Sequence, residues 1–273
     1  MVSTNTSKET APDGHTRQTF LVTHTHHLST NDQVVTKTYA SWSRNEPARE
    51  WAALQTIAAA APTLVPTPLS LSPDEPSLTM SRLPGRPLSG ALTPEELAGL
   101  EAALRTLWSI PPEDLSPFDL SAFIARTRAG VSAYQGSGIV AEAHAAATDW
   151  LSGPPVDLLF EAARPVIGHG DPNLANYLWD GERVRIVDFE DAGRSDLAVE
   201  LANLVEHIST RATDWTTFVN RFPIDRHRHL TARRLWSIFW LTLLRPGAPS
   251  AARNPPDIPT QQALRVLQLL STT

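Results

Sequence analysis

No cysteine occurs anywhere in the chain, and methionine occurs only twice. The first absence excludes disulfides, thiolate metal sites and a cysteine nucleophile. Lysine is scarce as well: of 23 basic residues only Lys8 and Lys37 are lysine. In a background so rich in Arg, Ala and Pro, a lysine within a strand-like segment marks a position that wants a compact ammonium and not a planar fork. Lys8 lies in a polar stretch and carries no such signal; Lys37 does. An excess of positive charge is also missing. The net charge is -6, which leaves no electrostatic footprint for nucleic acid and suits a soluble enzyme whose acidic cleft takes cationic substrates. No apolar run has membrane-span length; the longest, Leu235 to Leu244, contains Ser237 and Thr242. Residues 1–16 have no apolar h-region and read as a disordered tail, not a signal peptide. The expected compartment is the cytoplasm, with no membrane partner.

What is present is an ordinary apolar fraction, 41% of 273 residues, enough for one large domain or two modest ones. Phe20–Val22 and the alternating Gln33–Tyr39 read as strands of an antiparallel hairpin, with Asn31-Asp32 as a turn. Residues 45–60 read as a helix capped by Asn45, with Pro47 in its first turn. Residues 66–80 read as strands joined by Ser-Pro-Asp-Glu-Pro. Thr93-Pro-Glu-Glu96 is a capping box opening a helix that Pro111 ends. Helical spacing recurs over 119–134, 139–151, 197–209, 226–244 and 261–270, with a Pro/Ala loop at 247–259. The expected organisation is α+β: a small β-rich lobe over 17–80, a hinge at 81–87, and a mainly helical lobe over 88–273.

The chemistry-bearing stretch is 167–191. It reads Ile-Gly-His169-Gly-Asp171-Pro-Asn-Leu-Ala-Asn176, then Asp180-Gly181 as a turn, then Val-Arg-Ile-Val-Asp188-Phe-Glu190-Asp191. Two short apolar segments flank the turn, and each carries acids or amides at its edge. Phosphoryl transfer needs a carboxylate for the acceptor hydroxyl, oxygen ligands for divalent ions, and a lysine held by an acid. A short loop offers the first acid with an amide, and a hairpin returns the second acid beside them.

In these residues the sequence resembles the aminoglycoside phosphotransferase and choline kinase group of small-molecule kinases, which share the protein-kinase-like fold. The resemblance spans most of the chain from about residue 18. It implies a catalytic loop of His169 and Asp171, with Asp171 as base, and Asn176 and Asp188 as magnesium ligands. It implies Lys37 as a phosphate contact held by Glu50, with Glu46 as the alternative acid. Met80, Ser81 and Leu83 would lie along the adenine-facing hinge, and Leu178 and Val187 under the base. Asp196-Leu-Ala matches the group's start of the next helix, where Asp196 is expected to cap. The implied cofactors are ATP and magnesium, with GTP as a second possibility. The implied partner is a small hydroxylated acceptor, in keeping with a net acidic chain an amine-bearing one such as an aminoglycoside-like antibiotic. A metabolic kinase for an amino alcohol or sugar is the alternative among enzymes; a catalytically silent, kinase-like nucleotide-binding module is the alternative from another functional class.

The chain departs from the pattern in two places. No glycine lies between Thr23 and Asp32, where kinases cover the phosphates with backbone amides. Asp188-Phe is followed by Glu190 and not glycine, which leans away from protein substrates. Glu190, Asp191, Glu206 and Asp214 are candidates for an acidic acceptor site, against the plain reading of surface acids. Trp240, with Trp236 one turn before it, reads as helix core or as a wall for a cationic substrate. His24, His26 and His27 invite a metal reading, though solvated histidines are the commoner outcome of such clusters.

Overall fold

The alternating stretch near the N-terminus folds into three strands and not two: β1 (Thr19–Val22), β2 (His26–Thr30) and β3 (Val34–Tyr39), all antiparallel. The computed structural model describes residues 19–22, 26–245, 248 and 254–272. The expected tail, His24 and much of the expected loop at 247–259 lie outside them. The extra strand follows from the turn. Asn31 Oδ1 accepts the N–H groups of Gln33 and Val34, each at 2.8 Å, so the chain reverses at once. The residues before the turn are thereby drawn into register with β3, Leu28 opposite Lys37 and His26 opposite Tyr39.

Strands β4 (Pro68–Leu71) and β5 (Ser77–Ser81) complete a sheet of order β1-β2-β3-β5-β4. Helix α1 (Glu46–Ala60) covers it, burying Ala53, Leu54 and Ile57 completely. Asn45 occupies the N-cap position but makes no side-chain cap. Its φ is 57°, and its backbone carbonyl accepts Arg49 N–H at 3.0 Å instead. Helix α2 (Pro94–Ser109) does open on the expected capping box: Thr93 Oγ1 accepts Glu96 N–H at 3.3 Å, and Glu96 Oε2 accepts Thr93 N–H at 2.8 Å. It packs on the hairpin of β8 (Tyr177–Trp179) and β9 (Val184–Ile186), whose other neighbour is the short strand β6 (Arg86–Pro87). Asp180 Oδ1 closes that hairpin by accepting Glu182 and Arg183 N–H at 2.9 Å.

Contacts gather the described residues into two units. One holds the residues up to Ser116 together with Val166–Arg194; the other holds Pro117–Pro165 and the residues from Ser195 on. The hairpin of 166–194 thus packs as part of the unit that contains the N-terminal sheet. Strand β7 (Pro165–Gly168) leads into it, and β10 (Gly193–Asp196) leads out. The second unit is helical: α3 (Leu120–Ser132), α4 (Gly138–Ser152), α5 (Leu197–Glu206), the short α6 (Thr216–Val219), α7 (Arg226–Leu244) and α8 (Ile258–Ser271). Its core joins Phe123, Leu151, Leu235, Trp236 and Val266. Trp236 belongs to this core, its ring 4.5 Å from that of Phe123. Among the described residues no helix is long and apolar enough to cross a membrane.

Asp196 caps α5 as expected, accepting Ala198 and Val199 N–H at 2.9 and 3.1 Å. Its other oxygen receives Arg228 at 2.8 Å, and that largely buried guanidinium also donates to the carbonyls of Leu158 and Leu159. Removing the acid strands the arginine. Asp196→Ala is expected to lower unfolding free energy by about 3–5 kcal/mol, read by urea denaturation, because an unpaired buried charge joins a lost cap. Burial holds His229 down at about 4, with the hydrogen bond to Ala198 O and Glu206 opposing and Arg233 adding. The unfolded chain binds that proton near the ordinary pKa of about 6.5. Stability therefore falls as pH drops from about 6.5 toward 4, by up to about 3 kcal/mol, and His229→Asn is expected to flatten that part of the melting-temperature profile.

Candidate active site

Alternation along β3 puts Lys37 and Tyr39 on one face, and both are buried. A buried ammonium needs anionic partners. Lys37 has three: Glu50 Oε2 at 2.9 Å, Glu190 Oε2 at 2.7 Å, and Asp188 Oδ1 in close contact. Burial works against its charge, but Glu50, Asp188 and Glu190 outweigh it and hold the ammonium above its ordinary range.

Glu50 sits one turn into α1, and every oxygen it has is used. Oε2 takes Lys37 and the Tyr39 hydroxyl, and Oε1 accepts Phe189 N–H at 3.1 Å. It therefore ties β3, α1 and the segment after β9 together. Burial and then the negative charge of Glu50 hold the Tyr39 phenol protonated, well above the usual tyrosine range. Glu46, the alternative acid, pairs instead with Arg44 at 3.1 Å. Tyr39 was missed in the sequence; its position two residues after Lys37, on the same strand face, was the available signal.

The loop from His169 to Asn176 is built on a different device. His169 is buried, and its ring bridges the two arms of the hairpin. Nδ1 accepts Asp171 N–H at 3.3 Å and Nε2 donates to Val187 O at 2.9 Å, which fixes the tautomer. Gly170 has a φ of 83°, and a Cβ there would collide with the Asp191 carbonyl. Only glycine allows that approach. Asn176 Nδ2 donates to the Asp171 carbonyl at 3.0 Å and to its carboxylate Oδ2 at 3.4 Å. Val187 N–H bonds Asn176 O at 2.9 Å, so the β8–β9 ladder runs on to set Asn176 next to Asp188.

Asp188 itself takes a left-handed conformation, φ 71°, which is uncommon for a residue with a Cβ. Such a conformation persists only where the surroundings fix it, here through Lys37 on the side chain and the Glu50–Phe189 bond next door. The second oxygen of Asp188 and the amide oxygen of Asn176 have no partner among the described residues. Oxygen donors of this kind fit a magnesium ion. The charge balance fits it too, since one ammonium faces three carboxylates. Burial pushes Glu190 up to about 7, with Lys37 opposing and Asp188 and Glu50 adding.

The remaining expected residues are placed as follows. Glu190, expected to face the acceptor, turns to Lys37, and its backbone carbonyl accepts Arg49 Nε–H at 2.6 Å. His26 Nδ1 lies 3.4 Å from Glu190 Oε2. With Asp188 these two form a trio whose ligand atoms lie within 4.8 Å of one another. Burial, then Lys37, keeps His26 at about 4 against Asp188, so the ring is neutral at pH 7 and this contact is no ion pair. Asp191 is exposed, with Arg44 at 3.8 Å. Met80 is buried on β5 opposite Val35; Ser81 Oγ accepts Thr67 N–H at 2.8 Å; Leu83, Leu178 and Val187 are half-buried. In the helical unit, Glu206 is buried and neutralised by Arg233 and Arg265, at 2.7 and 2.8 Å. Trp240 meets His207 edge-on at 4.8 Å.

Comparison with known proteins bears on the fold and the family. No curated protein matches the chain by sequence. Among solved structures, a choline/ethanolamine kinase family protein from Mesorhizobium loti is similar, with TM-score 0.69 and 19% identity, covering 94% of this chain and 88% of that one. Choline kinase LicA from Streptococcus pneumoniae gives TM-score 0.60 at 11% identity, covering 92% and 91%. The GDP complex of aminoglycoside 2'-phosphotransferase-IIIa gives 0.60 at 14%, covering 91% and 89%. These likenesses establish the two-lobed kinase-like fold. The family profile described as "Phosphotransferase enzyme family" matches residues 9–236, most of the chain and all of the residues gathered around Lys37 and Asp171, and the chain belongs to that family.

Proposed function

We propose that the chain transfers the γ-phosphoryl group of ATP to a hydroxyl of a small molecule. The observation that carries the reading is the joint geometry of one unit: Lys37 buried between Glu50 and Asp188, and Asp171 held by the Asn176 amide. Asp171 accepts the hydroxyl proton as the new O–P bond forms and ADP leaves. Asn176 and His169 keep the Asp171 loop in place, so little reorganisation remains for the transition state. Lys37 exchanges part of its carboxylate cage for nucleotide phosphates, with Glu50 retaining it. Asn176 and Asp188 would hold magnesium, which when bound neutralises charge on the phosphates. Met80, Ser81 and Leu83 are assigned to the adenine hinge, and Leu178 and Val187 to the base floor. GTP is the second donor to test, since similar solved structures include GDP complexes.

For the acceptor, the acidic chain and the exposed Asp191 support an amine-bearing alcohol or sugar, and an aminoglycoside-like antibiotic gives a resistance or self-protection role. One observation favours the second reading, a metabolic kinase for a simpler amino alcohol. Glu206 is spent on two arginines, which removes one acid that a polyamine would need.

An ADP-release screen over aminoglycosides, other hydroxylated antibiotics, choline-like alcohols and sugars, with mass spectrometry of products, tests the reaction. Asp171→Asn is expected to lower kcat by about 10²–10⁴ while the nucleotide KM changes little. Absence of any Asp171-dependent ADP release across the panel would sink the phosphotransferase reading. In a thermal-shift assay Mg-ATP is expected to raise the Tm of the native chain and to lose that effect in Asp188→Ala. A Mg-ATP shift in the native chain without any ADP release across the panel would favour a silent nucleotide-binding module.

A further inference from the structure

The helical unit contains a cavity of about 850 Å³, within the range of about 300–1,000 Å³ typical of small-molecule sites. None of its lining residues belongs to the group around Lys37. Its charge runs against that of the chain. Arg211, Arg226, Arg233 and Arg265 line it, against only two acids, Glu206 and Asp214, while the whole chain carries -6.

Both acids are already committed. Asp214 Oδ1 accepts Thr216 N–H at 2.9 Å, an ordinary turn at the surface. Glu206, 2% exposed, accepts Arg233 Nε at 2.7 Å on one oxygen, and Arg265 at 2.8 and 3.0 Å across both. Arg211 is anchored through Nη2 on Gln262, and Arg226 through Nη2 on Asn220 at 3.2 Å. Each guanidinium is therefore fixed along one edge by a protein acceptor. Among the described residues, none has an acceptor for its remaining nitrogens. Guanidinium has five donors in a planar fork, and unspent forks of this kind match carboxylate or phosphate oxygens.

Burial pulls Arg211 below the ordinary guanidinium range, Glu206 opposes this, and Arg265 adds to it. An anion in the cavity would offset the cost of that burial. His229 lines the cavity but stays neutral at pH 7, so the arginines set the charge. Trp215, Phe222 and Leu264 supply an apolar wall.

We propose that this cavity is a binding site for a small organic oxyanion, a carboxylate or phosphate ester, seated on the unspent guanidinium edges with its apolar body against Trp215 and Phe222. The site is independent of the phosphotransfer reading and survives its failure. Titration calorimetry of the full chain, without nucleotide and with a chelator, uses three probes: 1-naphthyl phosphate, 1-naphthoate and 1-naphthylmethylammonium. The anions are expected to bind and the cation not; the tighter anion identifies the oxyanion class. Arg211→Gln and Arg226→Gln are each expected to weaken anion binding by about tenfold, the loss of roughly one charge-assisted contact. Arg226 is exposed, so its variant keeps the test open if Arg211→Gln fails to fold. No anion binding at millimolar concentration, equal binding of the cation, or unchanged anion affinity in the folded variants would overturn the proposal.

Discussion

A single buried ammonium organises the site-bearing unit. Lys37 is 3% exposed, and a charge so placed is tolerated only with close anionic partners. The partners come from two distant parts of the chain: Glu50 from α1, Asp188 and Glu190 from the segment after β9. Satisfying Lys37 therefore fixes the helix against the sheet and the sheet against the hairpin. Glu50 extends the constraint, because its carboxylate also holds the Tyr39 hydroxyl and the Phe189 amide. The cluster stays negative overall, and that surplus is what a nucleotide-bound cation would meet.

Two backbone conformations translate this constraint into a site. Gly170 lets the loop carrying Asp171 pass close to the Asp191 carbonyl. Asp188 turns its carboxylate toward Lys37 from a left-handed conformation. The second would not persist in isolation. The His169 ring bonds the two segments together, and the β8–β9 ladder runs on through Val187 and Asn176. The polar loop residues are thus held by a short hairpin, which keeps their side chains close to one another.

The helical unit treats charge differently. There the arginines outnumber the acids that face them, and the acids are consumed by structure: Asp196 by the α5 cap and Arg228, Glu206 by Arg233 and Arg265. A scarcity of lysine makes this possible, since guanidinium forks satisfy carboxylates and backbone carbonyls together. The consequence for function is that the acidity of the whole chain is not the acidity of each cavity.

Much of this was legible in the sequence. The capping box at Thr93, the cap at Asp196 and the helix over 226–244 are local patterns, set by side chains within a turn or two of the backbone they serve. So is the ladder from Asn176 to Asp188, because a hairpin fixes which residues lie opposite. The strand at His26–Thr30 was hidden, because a histidine- and serine-rich segment becomes a strand only when β3 offers it a partner. Asn45 was misread for a similar reason: the approach of the chain to α1 sets its backbone, and its side chain then has no amide to cap. Glu190, Glu206 and Tyr39 were invisible in role. Which acid meets which cation, over separations of 153 residues between Lys37 and Glu190 and 59 between Glu206 and Arg265, depends on packing between distant elements, and no local pattern encodes it. The sequence alone pointed to the family and to the residues proposed to carry the chemistry, because those are spacings along one loop and one hairpin. Folding decided which carboxylates stay available and which are neutralised, because that is settled by distances through space.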